Sequence, residues 1–120
     1  MGPSATTRNP NNMNALILPE PIATYFTGEH NPDVLDHCFT AQAIVKDDGH
    51  TYTGIPAIKA MLAEASAKYN ATTVPFALDQ QDGHQVVRAN VSGNFPGSPV
   101  VLTYRFRLEG SLIASLEIKV

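Results

Sequence analysis

From Thr72 to Val120 the chain alternates between apolar and polar residues in four successive runs, and this period of two constrains the fold most. Val74, Phe76 and Leu78 alternate first, followed by Val87, Ala89, Val91 and Phe95. The third run is Val100, Leu102, Tyr104, Phe106 and Leu108; the fourth is Leu112, Ala114, Leu116, Ile118 and Val120. Strand side chains point alternately to opposite sides, so each run predicts one apolar and one polar face. Asp82-Gly83 reads as a hairpin turn, and Pro96-Gly97-Ser98-Pro99 as a second turn. Thr103, Arg105 and Arg107, with Ser115, Glu117 and Lys119, take the polar side. Strands joined this closely predict an antiparallel sheet with one covered face.

The N-terminal half supplies the cover. Leu16, Leu18, Ile22, Tyr25 and Phe26 form an apolar stripe, with Gly28 suited to a helix end. Asn31-Pro32-Asp33 reads as a cap, a first-turn proline and an acid that complements the helix dipole. That second helix would bury Leu35, Cys38 and Phe39. A strand over 43–47 and a polar turn come next. Gly54 and Pro56 open a third helix with Ile55, Ile58, Met61, Leu62, Ala65 and Tyr69 on its apolar side, and Asn70 ends it. Helices first and a sheet after predict an α+β fold: a curved antiparallel sheet with three N-terminal helices packed on its concave face. Residues 1–14 have no period and are rich in Asn, Thr, Pro and Ser, which predicts a disordered tail. The domain is then 15–120.

A chain of 120 residues with 43% hydrophobic and 16% charged residues predicts one globular domain. A net charge of −3 argues against nucleic-acid binding, which needs a clustered basic patch. No apolar run approaches the roughly 20 residues of a membrane span. The N-terminus lacks a signal-peptide layout. Cys38 is the single cysteine, so no intrachain disulfide forms, which suits a cytoplasmic location. Its neighbours mark it as a buried small side chain rather than a nucleophile.

Within 43–47 the lone ammonium of Lys46 is costly to bury, so Lys46 faces water with Ile44 and Asp48. Asp47 then points inward with Ala43 and Val45. An inward carboxylate at a strand end is a candidate acid or base, because desolvation shifts its pKa. The alternative is a turn carboxylate capping the Asp48-Gly49 loop. Tyr104 is either a core aromatic bonded to backbone or a donor to a developing enolate oxygen. His50 is either a surface loop residue or a group that meets substrate or orients the acid. His30, His37 and His84 are scattered. Asp47 and His50 have no further ligands at a recognised spacing, so no metal is expected. A phosphate loop, a nucleophile elbow and a CxxC pair are absent from the sequence. Arg88, Arg105 and Arg107 suggest an outer sheet face used in dimer contacts with acids such as Glu117.

Four segments, taken in order, carry a family resemblance. They are Tyr25-Phe-Thr-Gly-Glu-His-Asn-Pro-Asp33, Ala43-Ile-Val-Lys-Asp47, Thr53-Gly-Ile-Pro-Ala-Ile58 and Phe106-Arg-Leu-Glu-Gly-Ser-Leu-Ile113. Over Leu18 to Val120 the chain resembles the nuclear transport factor 2-like superfamily, its SnoaL-like polyketide cyclases above all and ketosteroid isomerase more distantly. The resemblance implies a cone, or cystatin-like roll, around an apolar pocket, often paired through the outer sheet face as a homodimer. Members include isomerases, cyclases, dehydratases, epoxide hydrolases and proteins that bind without chemistry, so fold alone does not set the reaction. By resemblance Asp47 takes the position of the isomerase's general base, and its acidic oxyanion donor falls near Tyr104. The donor tyrosine of the first helix falls near Pro21 or Ile22, whose side chains cannot donate.

Two expectations follow. The first is a cofactor-free enzyme that abstracts a proton beside a carbonyl of a hydrophobic small molecule, leading to isomerisation or aldol-type cyclisation. Asp47 is the base and Tyr104 the oxyanion donor, while Tyr25, His50, Met61, Phe76, Leu102 and Phe106 contact substrate. The second is a non-catalytic binding or dimerisation module of the same fold.

Overall fold

The computed structural model describes residues 16–28 and 31–120; the tail expected at 1–14 lies outside the described residues. Helix α1 (Glu20–Gly28) leads into a 3₁₀ helix (Pro32–His37), then β1 (Phe39–Asp47), β2 (His50–Thr53) and helix α2 (Ile55–Tyr69). The meander is β3 (Thr72–Gln81), β4 (His84–Ser92), β5 (Val100–Glu109) and β6 (Leu112–Lys119). The six strands form one sheet in the order β2-β1-β6-β5-β4-β3. The predicted α+β layout stands, and three details depart from it.

First, β1 runs parallel to β6, so the sheet is antiparallel except at that junction. Second, among the described residues two α-helices cover the sheet, not three. The segment after Asn31 makes a 3₁₀ helix because β1 claims its end: Phe39 aligns with Ile113, and the Ile113 N–H donates to the Cys38 carbonyl at 2.7 Å. Third, the polar turn after β1 is only Asp48-Gly49, both in left-handed backbone (φ 51° and 78°), and His50–Thr53 is a strand paired back on β1. Two such residues match the twist of a tight hairpin.

Helix α2 starts and ends where its signals stand. Pro56 sits in its first turn, and Asn70 caps it in left-handed backbone (φ 47°) with its N–H on the Ser66 carbonyl at 2.9 Å. The core joins Ile22 and Tyr25 of α1, Leu35 and Cys38, Ala43 and Val45 of β1, Ile58 of α2, and the inward residues Val87, Ala89, Tyr104, Phe106 and Leu116. At its centre the Tyr25 ring meets Phe26, Phe39, Tyr104 and Phe106 edge-on, with centroids 5.1, 6.0, 6.2 and 5.6 Å away. Such pairs contribute about 0.5–1.5 kcal/mol each beyond the area they bury.

Besides a register shift between Phe39 and Ile44 of β1, two bulges break the strict alternation of the meander. One lies between Pro75 and Ala77 of β3, leaving Phe76 as the extra residue. Val74 therefore aligns with the exposed Asn90, whereas Leu78 aligns with the buried Val87. Phe76 is 46% exposed, with the Arg88 guanidinium 5.8 Å from its ring centre. The other bulge skips Ala114 opposite Arg107 and Leu108, so Ile113 aligns with Leu108 and is fully buried. Both Ile113 and Ala114 are buried as a result.

Candidate functional site

The parity of β1 places the acid. Ala43 and Val45 are buried, Lys46 is exposed, and Asp47 at the strand end is half-buried on their side. Asp47 borders a cavity of about 530 Å³ whose walls come from α1, α2 and the inner face of the sheet. Met61, Leu62 and Tyr69 of α2 line it with Val91, Leu102, Tyr104 and Ile118 of the sheet, and Tyr25 reaches it from α1. The walls are mostly apolar. Their side-chain polar groups are the Asp47 carboxyl, the hydroxyls of Tyr25, Tyr69 and Tyr104, and those of Ser66 and Thr73. A cavity of this size, apolar with a few convergent polar groups, has the character of a small-molecule site.

Burial raises the pKa of the Asp47 carboxyl above its ordinary value. The neighbouring Asp48 charge pushes the same way, and His50 opposes both. The carboxyl thus accepts a proton more readily than an exposed one.

A second cavity, of about 640 Å³, borders the same acid. Lys46, Asp48, His50, Thr51, Glu117 and Lys119 line it, so it is the more polar of the two. Asp47, Leu102, Ile118 and Val120 line both cavities.

Of the residues singled out from sequence, Asp47, Tyr104, Tyr25, Met61 and Leu102 line the apolar cavity together. His50 lines the polar one. Two do not reach either cavity. Phe106 is fully buried one position behind, its ring stacked on Tyr104 at 6.3 Å and 12°, so it supports the wall without forming it. Phe76 is turned out by the β3 bulge onto the opposite sheet face.

Some lining residues escaped the sequence reading. Phe95 belongs to the 93–99 loop rather than to a strand, and it meets Tyr69 edge-on at 5.7 Å. The close seating of that loop has a sequence mark in Gly93. A Cβ there would lie 2.7 Å from the Tyr69 carbonyl oxygen and 2.9 Å from the Ala71 Cα. Tyr25 also has a larger place than expected. It lies three and four residues after Ile22 and Pro21, on the same face of α1, and it is 1% exposed. The helix therefore presents a tyrosine to the cavity one turn beyond the position where the family resemblance expects it.

Cys38 stays outside the site. Its thiol donates to the Leu35 carbonyl at 3.7 Å, and burial pushes its pKa up to about 12. Among the described residues no group of three or more His, Cys, Asp or Glu side chains gathers as a metal site.

No known family profile matches the sequence, and no curated protein matches it either. Solved structures do. A candidate polyketide cyclase from Sinorhizobium meliloti is 36% identical, over 85% of this chain and 95% of that one, with a TM-score of 0.81. A Catenulispora acidiphila protein of ketosteroid isomerase-like fold, solved with trimethylamine, is 22% identical over 87% of each chain, with a TM-score of 0.74. A candidate isomerase of the SnoaL-like family from Agrobacterium tumefaciens is 15% identical over 82% of this chain and 92% of that one, with a TM-score of 0.69. The latter two carry the fold alone.

Proposed function

Because this chain belongs to the nuclear transport factor 2-like superfamily, with SnoaL-like proteins among its structural relatives, we propose that it is a small-molecule enzyme that removes a proton next to a carbonyl. The observation that carries this reading is one half-buried carboxylate, Asp47, on the wall of an apolar cavity that three tyrosines line from other elements. The substrate is a hydrophobic carbonyl compound; small-molecule occupancy of this fold, by trimethylamine in the Catenulispora protein, supports such a use of the cavity.

In the first step a C–H proton beside the carbonyl passes to an Asp47 carboxylate oxygen. The bonding pair moves into the carbonyl and leaves an enolate. The Tyr104 hydroxyl donates to the enolate oxygen, with Tyr25 beside it, the two rings 6.2 Å apart. Protonated Asp47 then delivers its proton to the far carbon of an enolate conjugated with a C=C bond, which is isomerisation, or the enolate carbon attacks a second carbonyl whose oxygen takes up that proton, which is aldol-type cyclisation. The rate gains are of a familiar size: a positioned base contributes roughly 10²–10⁴-fold. An oxyanion donor contributes roughly 10²–10³-fold. These steps need no cofactor. The outer sheet face, with Val101, Thr103, Arg105, Ser115 and Glu117, pairs two copies of the chain in this reading.

The pH dependence tests the assignment. Exchange of the activated C–H of apolar ketones and lactones with solvent should rise with pH as Asp47 ionises, with its inflection above the ordinary 3.8 of an aspartate. Asp48→Asn should move that inflection down, since the Asp48 charge helps to raise it. A profile indifferent to Asp48→Asn, or flat across the acid range, would count against Asp47 as the base.

A further inference from the structure

The base has a partner on the strand beside it. Asp47 and His50 are directly aligned across the two-residue turn that joins β1 to β2. Residues opposed in an antiparallel pair project to the same side, with Cβ atoms about 4.5–5.5 Å apart. The next inward pair shows this side to be the core side: Val45, aligned with Tyr52, is buried, and Tyr52 packs against the core. His50 thus shares the inward side with Asp47. It lies at the hairpin end, where it is exposed and lines only the polar cavity. Asp47 alone of the two belongs to both cavities.

We propose that Asp47 and His50 form a coupled acid–base pair, through which a proton taken up by Asp47 on the apolar side exchanges with solvent on the polar side. The inference rests on the general-base reading of Asp47 and adds a route for its proton. In the relay the O–H bond of protonated Asp47 breaks as a bridging water takes that proton and passes one of its own to an imidazole nitrogen of His50, aligned across the turn. The carboxylate is restored, and the imidazolium then releases its proton to water. The reverse sequence reloads Asp47. No co-reactant besides water is required.

The electrostatic surroundings suit a pair. His50 lowers the Asp47 pKa while Asp48, beside both in the turn, raises it. The other charged groups of the polar cavity are Lys46, Glu117 and Lys119, the last two 3.5 Å apart so that their charges offset one another. On the apolar side the facing titratable groups are the tyrosines Tyr25, Tyr69 and Tyr104. His50 is therefore the one histidine of the two cavities. It acts through Asp47 and is a positioning and relay group, not a contact of the reacting carbon.

The test is a carbon-13 NMR titration of the Asp47 carboxyl and the His50 ring in the full chain, repeated in His50→Gln and Asp48→Asn. In wild type the Asp47 signal should show two inflections. His50→Gln should leave one and move it upward, and Asp48→Asn should move it downward. His50 is exposed, so His50→Gln is expected to fold, and its amide spectrum away from the hairpin reports this directly. An Asp47 titration unchanged by His50→Gln overturns the pair. The relay has its own readout in loss of deuterium from α-deuterated β-tetralone. His50→Ala should slow wild-type exchange, and imidazole in the buffer should restore it; exchange as fast as wild type overturns the relay. Exchange that survives Asp47→Asn would instead sink the general-base reading while leaving the titration result standing.

Discussion

At the scale of single residues, one lysine makes the acid legible. Lys46 had to face water, and a period of two then turned Asp47 inward, where the structure puts it. What parity could not supply was the cavity, because Tyr25, Tyr69 and Tyr104 come from three distant parts of the chain. The raised pKa of Asp47 has a consequence for stability. The folded protein holds this proton more tightly than the unfolded chain, so the contribution is full below the unfolded value of 3.8 and is lost as pH rises through the folded one. An amide carries no such penalty. The melting temperature of Asp47→Asn minus that of wild type should therefore grow with pH across this window; a difference independent of pH would contradict the burial. Cys38 gives a second check. With its thiol buried and its pKa near 12, it should not react with a disulfide reagent at pH 8 until denaturant is added. Tyr104→Phe should lower turnover roughly 10²–10³-fold, by removing one oxyanion donor. Steady-state rates of Tyr104→Phe and Tyr25→Phe would show whether one or both hydroxyls reach the enolate.

Whole elements were legible where one signal had no competitor. Gly54 before α2, Pro56 in its first turn, Asn70 after it, and Asp82-Gly83 between β3 and β4 all stand where their signals place them. The elements that were misread lost to pairing with distant chain. The 3₁₀ helix is cut short by β6, and His50–Thr53 became a strand because β1 offered it an edge. Bulges leave no local mark in the sequence, which is why Phe76 was assigned to the inside. One element junction is open to a direct test. The 93–99 loop seats on the end of α2, with the Asn94 N–H on the Tyr69 carbonyl at 2.7 Å and the Gly93 N–H on the Ser98 hydroxyl at 2.9 Å. A methyl group at Gly93 would collide with backbone on that end. Gly93→Ala should cost about 1–3 kcal/mol, as overpacking against rigid neighbours does. Thermal unfolding would register it as a drop of about 4–8 °C per kcal/mol for a domain near this size. An unchanged melting temperature would mean that the loop yields freely.

For the molecule as a whole, the order of helices and strands carried the fold, and the chemistry depended on where that order met. The sheet folds β1 in beside β6, so the acid of the N-terminal half faces strands from the C-terminal half. The outer face retains exposed Val74, Phe76 and Val101, and in the proposed dimer it is covered by a second copy. Light scattering at micromolar concentration should then give twice the chain mass of 12.9 kDa, and a single-chain mass would contradict the pairing. The central claim remains that Asp47 removes the proton. Its most direct measurement compares wild type and Asp47→Asn in deuterium oxide, following by proton NMR the loss of the C–H signal of any apolar carbonyl compound that wild type exchanges. The account predicts that Asp47→Asn is slower by roughly 10²–10⁴-fold on that compound while keeping its fold. Equal exchange rates for the two proteins would contradict it.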